Sequence, residues 1–199
     1  RRELRLQDGS VLWMNGDTVL SVDYSHNRRG ITLYQGEALF EVAKDAARPF
    51  IVRAAQGDVQ AIGTRFDVDQ RGDKVTVQVS EGVVQVSSGG ETMRLPAGQS
   101  SVYRQGMAPL AGATIDVENV ATWQRGKLIF NARPLGDVLD ELDRHIPGVL
   151  YLTDETLATR RISGIFEVDD PQAALDVLAQ TQPLRITRLP LLTLVQPRH

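Results

Sequence analysis

Apolar and polar side chains alternate every second residue, in short runs broken by glycine, and this pattern governs what the first two thirds of the chain can fold into. The run Thr76-Val77-Gln78-Val79-Ser80-Glu81-Gly82-Val83-Val84-Gln85-Val86 is the clearest case. On both sides of Glu81-Gly82 the alternation gives one apolar and one wet face, as a half-buried strand requires. Glu81-Gly82 itself reads as a hairpin turn or a corner. Leu6-Gln7-Asp8-Gly9, Leu33-Tyr34-Gln35-Gly36 and Leu95-Pro96-Ala97-Gly98 likewise place an apolar residue, two others and a glycine before the next strand. The uneven spacing of these glycines makes a degenerate repeat. Strands follow them, so they lack the helix N-terminus that a phosphate cradle needs. The expectation for residues 1–120 is an all-β body of winding, solenoid-like short strands.

After Trp123 the period changes. Lys127–Phe130 reads as a strand, and Pro134 opens a helix whose Leu135, Val138, Leu139, Leu142 and Ile146 fall on one stripe. On that helix Asp137, Asp140, Glu141 and Asp143 are expected on the wet side. Pro147-Gly148 stops it, and Val149–Leu152 is the next strand. The pattern then repeats: strand Arg161–Phe166, an Asp170 cap before Pro171, and a helix lined by Ala174, Leu175 and Leu178. Leu184–Arg188 and Leu191–Val195 end the chain as strands around Pro190. Residues 121–199 thus form a small α+β domain built on a duplicated β-α-β unit.

Composition removes several functions. The formal net charge is −3, with 13 basic and 15 acidic residues before Ala121 and 9 and 10 after it, so neither part has the basic excess of a nucleic-acid binder. The chain has no cysteine, which excludes thiol catalysis and zinc–cysteinate sites. No apolar run approaches the roughly 18 residues of a membrane span, and the start is no signal peptide. The abrupt opening in strand and turn suggests an excised piece. His26 lies in a polar loop beside Asn27-Arg28-Arg29-Gly30, His145 at a helix end and His199 at the terminus, none spaced as a metal ligand set. No Gly-x-Ser-x-Gly elbow occurs. Glu37 with Glu41, or Asp67 with Asp69, share a strand face and are the only basis for an alternative, a carbohydrate-binding or carbohydrate-active β protein. Few Trp and Tyr are present to build a sugar platform. No catalytic residue, metal ligand or cofactor site is assigned.

Five segments follow one another in a characteristic order: Leu6–Asn15, Leu33–Ala43, Arg48–Val52, Gly63–Val68 and Glu81–Val86. Together they resemble the FecR-type family of cell-surface signalling regulators. Trp123–Phe130, Pro134-Leu135, Ser163–Phe166 and Leu175 continue the resemblance over nearly the whole chain. It implies the periplasmic region of a single-pass inner-membrane anti-sigma protein, whose missing cytoplasmic segment holds an extracytoplasmic-function sigma factor. Its implied partner is the N-terminal signalling domain of a TonB-dependent ferric-siderophore receptor. Periplasmic and intramembrane proteases would then release the sigma factor. The last third is similar to the secretin and TonB short N-terminal domain, which leaves a secretin-like assembly as a further alternative.

A duplicated strand–helix unit leaves sheet edges, and an open edge is a template for a partner's strand. Leu191–Val195 is the first candidate edge and Leu184–Arg188 the second. The candidate partner-binding residues are Arg185, Thr187, Arg188, Leu191, Thr193 and Val195, with Arg185 and Arg188 placed to select an acidic surface.

Overall fold

Strand β4 (Arg29–Glu41) organises the first part of the molecule. The structure, a computed structural model, describes residues 1–198 and divides into two units, Arg1–Ala121 and a second from Thr122 onward. The first half of β4 pairs with β3 (Val19–Tyr24) and, in parallel, with β5 (Phe50–Ala54). Its second half pairs antiparallel with β2 (Val11–Met14) and β7 (Arg65–Arg71). The exchange of partners falls at Gly36, where φ is +87° and a Cβ would lie 2.6 Å from Thr18 Cα. Only glycine meets both conditions.

One wing of the sheet continues from β5 through β6 (Gly57–Ala61) and β9 (Val83–Ser88) to β10 (Glu91–Pro96). The other runs from β7 through β8 (Lys74–Glu81) and β11 (Gln99–Arg104) to β12 (Leu110–Thr114), while β1 (Arg2–Arg5) flanks β2. The twelve strands form one curled, near-barrel sheet in place of a stacked solenoid. Its concave side holds the core, in which Phe40 sits 5.9 Å from Phe50 and 5.2 Å from Phe66, ring centre to ring centre. Tyr103 of β11 ties the wings together by donating to the Ala54 carbonyl of β5 at 2.9 Å. Its ring occupies the space that a side chain at Gly57 would fill.

The four glycine units therefore do different jobs. Gly9 turns a true hairpin, since β1 pairs with β2. Gly36 is not a turn between strands but a kink within one. Gly82 and Gly98 are corners: β8 and β9 pair with different neighbours, as do β10 and β11. The Gly98 N–H to the Val79 carbonyl and the Ala97 N–H to the Gly82 carbonyl, both 2.9 Å, strap these corners together.

In the second unit β13 (Lys127–Pro134) and β15 (Arg161–Glu167) make an antiparallel pair. A second sheet has the order β14 (Val149–Leu152), β17 (Leu192–Pro197), β16 (Leu184–Leu189). Helix α1 (Leu135–Asp143) packs on β13 and β15 and also on β14; α2 (Pro171–Thr181) packs on β15 and β16. The helices thus lie between two sheets. Leu135, Val138, Leu139, Leu142 and Ile146 are buried as the stripe predicts, and Asp170 caps α2 by accepting the Ala173 N–H at 2.9 Å. Glu141 departs from the expected wet side. It is buried, with Arg144 Nε at 3.9 Å and His145 Nε2 at 3.8 Å from its carboxylate. No helix among the described residues is long and apolar enough to cross a membrane.

Candidate partner interface

The six predicted partner-binding residues fall on β16, β17 and the turn between them. Leu191–Val195 is not an edge: β17 is the centre of its sheet, parallel to β14 on one side and antiparallel to β16 on the other. The reason is topological, because β14, distant in sequence, covers the side that local reasoning leaves open. Val195 is fully buried, Thr193 nearly so, and Leu191 stands in the turn with φ +59°. Arg188 points toward α2, where its guanidinium meets the Asp176 carboxylate at 2.6 Å and the Gln172 side chain at 2.7 Å. Thr187 donates to the Gln196 side chain at 3.1 Å, and Arg185 is exposed without an ion pair among the described residues.

The two outer strands of this sheet differ. On β14 the Val149 N–H donates toward the Leu191 carbonyl and the Thr153 N–H toward the Val195 carbonyl, so the Leu150 N–H faces outward. Asp143 accepts it at 2.6 Å. A carboxylate from the end of α1 therefore caps one outward N–H of that edge. On β16 the Arg198 N–H donates to the Pro183 carbonyl, and the alternation of an antiparallel ladder from there turns the N–H and C=O of Ile186 and Arg188 away from β17. β17 is the sole strand neighbour of β16 among the described residues. The outer face of the sheet carries Arg185, Thr187 and Leu189 on β16, opposite Gln196, Leu194 and Leu192. Val149 and Tyr151 continue that face on β14, each more than half exposed.

The first unit contains a polar cluster that sequence reasoning left in a loop. Arg29 is fully buried. Its guanidinium donates to Asp8 at 2.6 Å and to the carbonyls of Ala43 at 2.8 Å, Arg48 at 2.9 Å and Asp45 at 3.3 Å, and it stacks 5.5 Å from the centre of the Phe50 ring. Asp8 also accepts from the Ser10 N–H, the Ser10 hydroxyl and the Tyr24 hydroxyl. Burial opposes its ionisation, but the hydrogen bonds from Ser10, Arg29 and Tyr24 together outweigh that and hold its pKa below the usual 3.8. Burial and then the Asp8 charge push the Tyr24 phenol up. The local signal was Asp8 ahead of Gly9-Ser10, an Asx turn whose carboxylate was free to take a further partner. An open cavity of about 470 Å³ lined by Gln7, Asp8, Tyr24, Ser25, His26 and Arg48 adjoins this cluster.

Of the carboxylates considered for sugar chemistry, Glu37 and Asp67 are buried, Asp69 is partly buried and Glu41 is exposed. Glu37 accepts from the Asn15 amide at 2.8 Å, Asp69 from Arg71 at 2.9 Å, and Asp67 is buried. Among the described residues no group of three or more acidic or histidine side chains is arranged to hold a metal ion. His199 lies outside the described residues.

Residues 1–85 match the FecR protein family. Among curated proteins none matches the chain. Over 98% of this chain and 93% of the other, the fold is similar to a protein from Parabacteroides distasonis ATCC 8503 assigned as an anti-sigma factor, at 26% identity and a TM-score of 0.85. A second crystal structure under the same assignment, at 2.50 Å resolution, matches over the same shares with 25% identity and a TM-score of 0.84. The FecR match over residues 1–85 and the whole-length likeness to anti-sigma factor structures both agree with the FecR-type resemblance read from the sequence.

Proposed function

We propose that the chain is the periplasmic sensor region of a transmembrane anti-sigma regulator. In this reading residues 1–120 form the FecR-like part, and residues 121–199 form a unit like the secretin and TonB short N-terminal domain. That second unit receives the N-terminal signalling domain of a TonB-dependent ferric-siderophore receptor. The signal passes to an extracytoplasmic-function sigma factor held by a cytoplasmic segment, through stepwise periplasmic and intramembrane proteolysis.

The observation that carries the docking step is the contrast between the edges of one sheet. Asp143 caps the Leu150 N–H on β14, β17 is central, and β16 leaves the N–H and C=O of Ile186 and Arg188 free. An added strand satisfies those groups and extends the sheet. The test is amide hydrogen exchange on the chain with and without the receptor's signalling domain, after calorimetry has established binding. The expected result is slowed exchange at Ile186 and Arg188. Binding with unchanged exchange at both positions, or no binding to any cognate signalling domain, refutes the reading.

A further inference from the structure

If a strand docks on β16, its outward side chains stand beside Arg185, Thr187 and Leu189, because directly paired residues share a face of the sheet. This rests on the edge reading above. The three neighbours differ in chemistry. Arg185 is exposed, forms no ion pair among the described residues, and has Gln196 behind it on β17. Thr187 already donates to Gln196 and has Leu194 opposite. Leu189, half exposed, opens onto Leu192 and then Val149, with Leu191 at 74% exposure beside them. The face therefore grades from cationic and polar at one end to continuously apolar at the other, over five residues of one strand. Arg188, which looks equivalent to Arg185 in sequence, contributes nothing to this gradient, because its charge is matched internally by Asp176.

We infer that β16 selects an extended protein segment bearing an apolar residue, a small hydroxyl residue and an acidic residue at alternate positions, in that order from its N-terminus. An antiparallel strand then sets its apolar side chain over Leu189 and Leu192, its hydroxyl beside Thr187 and its carboxylate beside Arg185. Within an antiparallel strand, the reversed order brings the carboxylate to the apolar end, where it loses water without gaining a cation. The inward positions of the same segment meet Ile186 and the Arg188–Asp176 pair, so they are expected to be uncharged.

The probes are synthetic peptides of about ten residues with the sequence apolar-x-Thr-x-Glu at their centre, the same peptide with Lys for Glu, and the reversed order. Binding to the chain is read by fluorescence anisotropy and position by amide exchange. An exposed ion pair and its like-charge counterpart are each modest, so the Glu peptide is expected to bind about three- to tenfold more tightly than the Lys peptide. R185E is expected to reverse that order; R188E is not a substitute, since it breaks the Asp176 pair. R185Q, which keeps size and polarity, is expected to remove the preference without reversing it. Protection at Ile186 and Arg188 with a Glu-over-Lys preference that R185E leaves unchanged overturns the inference and leaves the edge reading standing. Equal affinity for forward and reversed peptides also overturns it. No protection at these amides with any peptide overturns both.

Discussion

At the scale of single residues, the Arg29–Asp8 pair stands out, because a charge with no exposure is tolerated only when it is fully paired. Every group around it supplies part of the compensation: the Asp8 carboxylate, three carbonyls and the face of Phe50. D8N leaves a buried guanidinium without its counter-charge, and R29M leaves the Asp8 carboxylate and three carbonyls without that donor. D8N is expected to destabilise the first unit by about 3–5 kcal/mol in urea titration. The same group sets an acid limit. Its folded pKa lies below its ordinary 3.8, so its contribution is complete above that value and is lost as pH falls through the folded value. Wild-type stability is therefore expected to drop on acidification below about pH 4, and the drop in D8N to be smaller. Circular dichroism melts across that range check both statements. None of this was legible in Asn27-Arg28-Arg29-Gly30, because two adjacent arginines have the same local signature. Arg28 faces solvent and pairs with Asp23, while its neighbour turns inward across the pleat.

At the scale of elements, the devices that matter are kinks and edge closures. Gly36 carries the switch of β4 between two sets of partners, so G36A is expected to cost about 2–4 kcal/mol through strained φ and the Thr18 clash, measured by chemical denaturation. Asp143 caps the Leu150 N–H on the free side of β14. D143A is expected to lose about 1 kcal/mol, and to raise the chain's tendency to self-associate, by freeing an edge whose exposed side chains, Val149 and Tyr151, carry no charge. Light scattering at rising concentration, compared with wild type, tests the second part. Element identity was largely legible: both helices, their apolar stripes and the Asp170 cap follow from spacing alone. Which strands form edges was not. Leu191–Val195 looks terminal because it ends the chain, yet β14, some forty residues earlier, lies against it.

For the whole molecule, a formal charge of −3 provides little long-range steering, which suits recognition by a sheet edge and a graded face. Association with a receptor signalling domain is therefore expected to slow by less than about tenfold between low salt and 0.5 M, with the affinity differences among variants residing in the dissociation rate. Stopped-flow or surface-based kinetics over that range distinguish this from a steered encounter, whose rate falls far more steeply. The match of the FecR family to residues 1–85 and the likeness to anti-sigma factor structures over 98% of the chain agree with the resemblance carried by five ordered motifs. Those motifs include Gly36, Phe40, Phe50, Phe66 and Gly82, the residues on which the kink, the aromatic core and the corner depend. Their order was readable because each serves a local need, a turn, a core ring or an alternating face.

By itself the sequence determined the period of every segment, and hence a β-rich body followed by strand–helix units, because side-chain alternation and helical stripes are local consequences of backbone geometry. It also carried the FecR-type resemblance, through residues whose local roles leave a recognisable order. Only the tertiary structure decided that the strands curl around β4 instead of stacking as a solenoid, that Arg29 and Glu141 turn inward, and that β16 is the open edge where β17 is not. Those outcomes depend on pairings between residues far apart in the chain, and nothing in a strand's own pattern records which neighbour will cover it.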